Sequence, residues 1–202
     1  MEITKEATNF QYYNPSDEET IKKVFISYAN SYHAKAIVKK LQELNEDVDG
    51  KIDYQICGTM QENQPMISKV AILNSKGNDF TVMVSQCVIV ICDISQDKNQ
   101  FEETKAILKF FEEHLEVGIE FNLTLILIST IMTWARTPKS IDETLTDRNY
   151  RKRRPHPCFN QHLLIERRTL NLQKKFKDSI KSFVVCSGII YGQEQDIFHY
   201  IF

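Results

Sequence analysis

The sequence predicts an α/β fold, a doubly wound and mostly parallel sheet with helices on both faces. Two observations carry this. Strand-like and helix-like segments alternate from residue 22 onward, as in repeated βαβ units. Two of the strand segments, "CVIVIC" and "LTLILIST", are continuous apolar runs, the pattern of strands covered on both faces in a parallel sheet.

Residues 1–21 are polar and are expected to form an N-terminal arm, leaving 22–202 as the domain. Val24–Ser27 is a short strand, followed by a helix over His33–Asn45 with Ala36, Ile37, Leu41 and Leu44 on one face. "KIDYQICGT" is a second strand ending at Gly58. Residues 60–77 carry Pro65 and the turn "SKGN" and are expected to be irregular. Asp79 stands where it would cap a short helix, "FTVMVSQ". "CVIVICDIS" is a third strand, and a helix over about 97–117 turns Phe101, Ala106, Leu108, Phe111 and Leu115 inward. "NLTLILIST" follows as a doubly buried strand, then a long loop, "IMTWARTPKSIDETLTDRNY". Pro155 and Pro157 open a helix running to about Asp178, since proline suits the first turn. "SFVVCSGIIYG" is the last strand, and "EQDIFHYIF" begins a helix that stops on apolar side chains. The chain is therefore expected to be part of a longer protein.

Composition sets the bounds. With 202 residues, 42% of them hydrophobic and 26% charged, the chain can bury a core without crosslinks. Its apolar runs are too short for a membrane span, and the polar opening "MEITKEATNF" is no secretory signal. Five cysteines at Cys57, Cys87, Cys92, Cys158 and Cys186 show neither paired nor metal-type spacing and are expected to be reduced thiols of a cytoplasmic protein. The net charge of −2 is uneven: residues 136–156 hold seven Lys/Arg against three Asp/Glu, or +4, leaving −6 elsewhere. Arg148, Arg151, Lys152, Arg153 and Arg154 are thus candidates for docking an acidic partner. No aromatic interleaving or motif supports nucleic-acid binding, and no membrane partner is expected.

The stretch Lys23–Leu44 has the strand–turn–helix order of a dinucleotide-binding unit, where a glycine-rich turn brings pyrophosphate to a helix N-terminus. Here the three glycine positions fall on Tyr28, Ser31 and Ala34. Tyr28 must adopt a turn that glycine takes freely, and Ser31 adds a side chain where phosphate would sit. The acid that would bind ribose hydroxyls is missing, because the second strand ends "CGTM" and Asp53 lies too early. No cofactor is expected, although NAD(P) or a mononucleotide in a modified cleft stays open. Asp93 ends its strand at the carboxyl edge of the sheet and is expected to cap the next turn; Trp134 is expected to pack in the core beside Arg136. His156, Cys158 and His162 can ligate metal, but their spacing does not converge and a fourth ligand is missing. No metal is expected.

"LILISTIMTWA" and "FVVCSGIIYGQ", with Gly188, Tyr191 and Gly192, resemble the extended short-chain dehydrogenase/reductase and sugar epimerase family over roughly 23–202. That resemblance implies a Rossmann-like domain and a catalytic Ser/Thr with a Tyr and Lys four apart on a helix, the Tyr working as acid/base. Thr130 matches the Ser/Thr. Setting Glu166 on the helix's usual acidic position puts Cys158 where the Tyr belongs and His162 where the Lys belongs. The other register pairs Tyr150 with Arg154, but Pro155 disfavours a helix at the residue before it, and arginine cannot play the ammonium's part. The resemblance thus implies a catalytically degenerate site.

"ISTIMTWAR", "DRNYRKRRPHPCF" and "IIYG" are similar to the N-terminal Rossmann-like region of a cilia-associated adenylate kinase family. This implies a structural or docking component of the motile-cilium axoneme, in the radial spoke or central apparatus. Its partners would be other axonemal proteins, acidic surfaces or tubulin tails. The alternative it implies is a regulatory or nucleotide-sensing region of a nucleoside monophosphate kinase whose catalytic domain lies outside this chain, since these residues hold no Gly-rich phosphate loop.

Overall fold

A computed structural model describes residues 21–46, 52–62, 64–77, 79–96, 98–139 and 144–191. Of the expected arm over residues 1–21, Ile21 instead opens the first strand, and the rest of the arm, the final helix "EQDIFHYIF" and Gly192 lie outside the described residues. The strands are β1 (Ile21–Ile26), β2 (Asp53–Gly58), β3 (Ala71–Ile72), β4 (Ile89–Asp93), β5 (Leu123–Thr130) and β6 (Ile180–Ser187). The helices are α1 (Tyr32–Glu46), α2 (Phe80–Ser85), α3 (Lys98–Glu116) and α4 (Asn160–Lys175). Three short 3₁₀ turns, Ile131–Trp134, Asp147–Lys152 and Pro157–Phe159, punctuate the segment between β5 and α4.

All six strands form one sheet in the order β3-β2-β1-β4-β5-β6, and every pair is parallel. The doubly wound fold expected from the alternation is the one observed. The chain reverses direction across the sheet between β1 and β4, so the crevice at their carboxyl ends is where ligands bind in such sheets.

One face is thick. Phe25, Val90, Cys92, Leu125 and Leu127 meet Phe80 and Val84 of α2, Leu108 and Phe111 of α3, and Ile165 and Leu172 of α4. The other carries α1, whose Ala34 and Val38 bury against Val24, Ile26, Ile56 and Ile91. The covering is unequal, which corrects two expectations. Along β5 burial alternates, with Ile126 and Ile128 only half-buried on the α1 side, because α1 sits over β1, β2 and β4. On α1 the inward stripe is Ala34, Ile37, Val38 and Leu41, while Ala36 and Leu44 face solvent.

Smaller differences have local causes. Ala106 is exposed and its neighbour Ile107 buried, as the phase of α3 places Leu108, Phe111 and Leu115 inward. The two-residue β3 lies within the stretch expected to be irregular, too short for a periodic signal. Asp79 occupies the N-cap of α2 but its side chain accepts no cap hydrogen bond. The last strand begins at Ile180 and ends at Ser187, so Gly188 to Tyr191 follow it as non-strand chain. All five cysteines are free. The Cys57 and Cys87 sulfurs nevertheless approach to 3.6 Å, a meeting that thirty residues of separation hid.

Candidate functional site

The turn between β1 and α1 is held by its own side chains. Tyr28 adopts a left-handed φ of 48°, the conformation glycine takes freely. Its amide donates to Thr59 Oγ1 at 2.9 Å, and the Ala29 amide donates to the Thr59 carbonyl at 2.8 Å. Asn30 is buried and works as a clamp: its Nδ2 donates to the Gln61 carbonyl at 2.9 Å, and its Oδ1 accepts the Gln61 amide at 2.6 Å. Ser31 is buried as well, its Oγ accepting from the Ala34 amide at 3.3 Å. An amide that would face an anion at this helix N-terminus is therefore met by a hydroxyl. Ala34, buried against β1 and β4, fits the close helix–strand packing of the third glycine position.

Gly58 allows this closure. A Cβ there would lie 2.3 Å from the Ile26 carbonyl oxygen, so only glycine lets β2 end against the start of the turn. Thr59 follows at once, and its hydroxyl also donates to Glu103 Oε1 at 3.0 Å. The stretch after β2, where a ribose acid would stand, thus serves the β1–α1 turn.

Across the crevice, Asp93 brings a carboxylate to the first turn of α1. Its Oδ2 lies 2.9 Å from His33 Nδ1, the side chains being 3% and 12% exposed. Its Oδ1 accepts from both the amide and hydroxyl of Ser95, at 2.8 and 2.6 Å. The latter is the turn cap expected from sequence; the His33 contact was not. A negative charge here opposes a phosphate at the same helix N-terminus.

The catalytic positions named from sequence are not brought together. Thr130 caps the 3₁₀ turn Ile131–Trp134, its Oγ1 accepting from the Met132 amide at 3.2 Å. Cys158 is exposed in the turn Pro157–Phe159. His162 is buried edge-on against Phe101, 4.6 Å between ring centroids, and burial pushes its pKa down. No hydrogen bond among the described residues joins any two of the three. Tyr150 lies in the turn Asp147–Lys152, its hydroxyl accepting from Arg151 Nε at 3.0 Å, which lowers its pKa. Arg153 is already extended, at φ −55° and ψ 135°, so no helix carries Tyr150 to Arg154. Among the described residues no group of His, Cys, Asp and Glu is placed to hold a metal ion.

The basic run divides. Arg148, Arg151, Lys152 and Arg154 are exposed as expected, but Arg153 is not part of that solvated face. Arg153 is 6% exposed, and its guanidinium donates to Glu166 Oε2 of α4. Ser129 Oγ donates to Glu166 Oε1 at 2.6 Å, completing a buried network. The guanidinium also stacks over Trp134 at 5.2 Å, so the tryptophan expected in the core is half-buried against Arg153. Only the acidic position of Glu166 hinted at this in the sequence. The ionic partner lies thirteen residues away, past two prolines.

No known family profile matches the chain. It is 34% identical over 121 residues, 58% of its length, to adenylate kinase 7 of Mus musculus, and spans 19% of that protein. Among solved structures, dTDP-glucose 4,6-dehydratase from Bacillus anthracis superposes with a TM-score of 0.59 at 8% identity, covering 81% of this chain and 54% of that one. A nucleoside-diphosphate-sugar epimerase from Agrobacterium tumefaciens gives 0.56 at 11% identity, covering 93% and 60%. At such identities these two show the fold alone. The chain is thus Rossmann-like in fold and similar in sequence to a part of mouse adenylate kinase 7.

Proposed function

We propose that this chain is a catalytically degenerate Rossmann-like module that serves as a structural and docking component of the motile-cilium axoneme, in the radial spoke or central apparatus. The observation that carries the proposal is the closed crevice. Tyr28, Asn30, Ser31 and Thr59 bond to one another's loops, and Asp93 sets a carboxylate at the α1 N-terminus. A fold that spends its ligand crevice on internal hydrogen bonds is left with its surface as its means of action. The axonemal setting rests on the resemblance of "ISTIMTWAR", "DRNYRKRRPHPCF" and "IIYG" to a cilia-associated adenylate kinase family, beside the similarity to adenylate kinase 7. Exposed Arg148, Arg151, Lys152 and Arg154 supply a basic face for acidic axonemal surfaces or tubulin tails.

A fluorescently tagged chain expressed in multiciliated cells tests this. It is expected in the axoneme and retained there after detergent removes membrane and soluble protein. A signal confined to the detergent-soluble fraction would overturn the docking role. The second reading, a nucleotide-sensing region of a nucleoside monophosphate kinase, has its support in the kinase name of the relative. Saturable binding of AMP or ATP would favour it over the first.

A further inference from the structure

Cys57 and Cys87 place their sulfurs 3.6 Å apart on the thick face of the sheet. Among the described residues no other two cysteine sulfurs come within hydrogen-bond reach. We infer that Cys57 and Cys87 are an oxidation site, a dithiol that hydrogen peroxide converts to an intramolecular disulfide. The inference goes beyond the docking role above and does not depend on it.

The fold brings the two thiols together from opposite sides of β1. Cys57 pairs in register with Phe25 and packs against the core on the face that carries α2. Cys87 stands between α2 and β4, its amide donating to the Val84 carbonyl at 3.1 Å. Strand β1 runs between β2 and β4, so the sulfurs meet over its side chains. A disulfide holds its sulfurs about 2.05 Å apart, so closure needs an approach of about 1.5 Å. Cys87 belongs to neither helix nor strand, and its movement breaks no ladder bond.

The two thiols are not equivalent. Cys57 is half-buried and Cys87 only 3% exposed. The hydrogen bond from the Cys87 thiol holds the Cys57 thiol below its usual pKa, and the charge of Lys23 adds to this against the cost of burial. Lys23 lies two residues before Phe25 on β1, hence on the same face. Its Nζ donates to Gln86 Oε1 at 3.4 Å, beside Cys87. The bond to Cys57, with burial, pushes the Cys87 thiol up. Because the thiolate is the reactive form, Cys57 is the nucleophile and Cys87 the resolving thiol.

In the first step the Cys57 thiolate attacks one peroxide oxygen. An S–O bond forms, the O–O bond breaks, and the departing hydroxide takes up the proton that Cys57 released, leaving Cys57 as a sulfenic acid and one water. In the second step the Cys87 sulfur attacks the Cys57 sulfur. The S–S bond forms, the S–O bond breaks, and the hydroxyl leaves with the Cys87 proton as a second water. Each sulfur gives up one electron, and the peroxide is reduced to two waters. Sulfenic acid formation also removes the thiolate that kept the Cys87 proton in place. The crosslink would fasten the end of β2, where Gly58 and Thr59 hold the β1–α1 turn, to the start of β4.

Peptide mapping by mass spectrometry tests the inference. The fully reduced chain is treated with hydrogen peroxide, its remaining thiols are alkylated, and it is digested. The expected product is a Cys57–Cys87 crosslinked peptide that a dithiol reductant reverses, formed about tenfold or more faster than oxidation of exposed Cys158. Cys87→Ser is expected to stop at the Cys57 sulfenic acid, trapped there by dimedone, whereas the wild type accumulates no such adduct. In urea, where the fold no longer holds the pair together, the preference for this crosslink is expected to vanish. Cys57 and Cys87 thiols that survive while Cys158 is oxidised would overturn the site. So would a dimedone adduct at Cys57 of the wild type with no crosslink, or a crosslink that forms as selectively in urea as in the folded chain.

Discussion

At the scale of single residues, the crevice depends on side chains whose polar groups are satisfied from unexpected places. Glu103 shows the consequence. Its carboxyl is buried on α3, takes one hydrogen bond from Thr59 and leaves Oε2 without a partner. Burial raises its pKa from the usual 4.5 to about 7, against the lowering effect of the Thr59 hydrogen bond. The folded protein therefore holds a proton between those values that the unfolded chain has released. Stability is complete below 4.5, declines as pH rises to about 7, and stays lowered above. Glu103→Gln, which keeps the acceptor, is expected to flatten the decline. By urea denaturation it should match the wild type near pH 4.5 and exceed it by about 3 kcal/mol at pH 8. A parallel pH dependence in both proteins would assign the proton elsewhere.

At the scale of elements, the strands and long helices were legible in the sequence because periodicity reports which faces are buried. The apolar run of β4 and the phase of Phe101, Leu108, Phe111 and Leu115 on α3 needed nothing more. The lack of glycine at Tyr28 and Ser31 also announced an altered turn, and Tyr28 does adopt the left-handed backbone that position demands. What the sequence hid were partners far along the chain. Asn30 with Gln61, His33 with Asp93 and Arg153 with Glu166 meet only through the parallel crossovers. A run of four basic residues looks uniformly solvated until one of them turns inward. Arg153 ties the turn Asp147–Lys152 to α4, so its removal strands Glu166 as a buried charge. Arg153→Ala is expected to cost about 3 kcal/mol or more, and Arg154→Ala, one residue on and exposed, to stay within about 0.5 kcal/mol. Denaturant midpoints of the two variants check the contrast. Equal effects would mean that the buried network contributes nothing.

At the scale of the whole molecule, a Rossmann-like sheet persists while its ligand crevice is occupied by the protein's own hydrogen bonds. The thick core under α2, α3 and α4 lies on one face of the sheet and is tied to the crevice through the Thr59–Glu103 hydrogen bond. Exposed Arg151, Arg167, Lys174 and Lys177 lie together beside α4 and β6. The most direct test is thermal unfolding of the chain in the presence of NAD or NADP up to millimolar concentration, since a ligand of the folded state raises the midpoint by mass action. The expected result is a midpoint that does not move with either dinucleotide. A saturable rise of several degrees would show an open cofactor site and contradict the account.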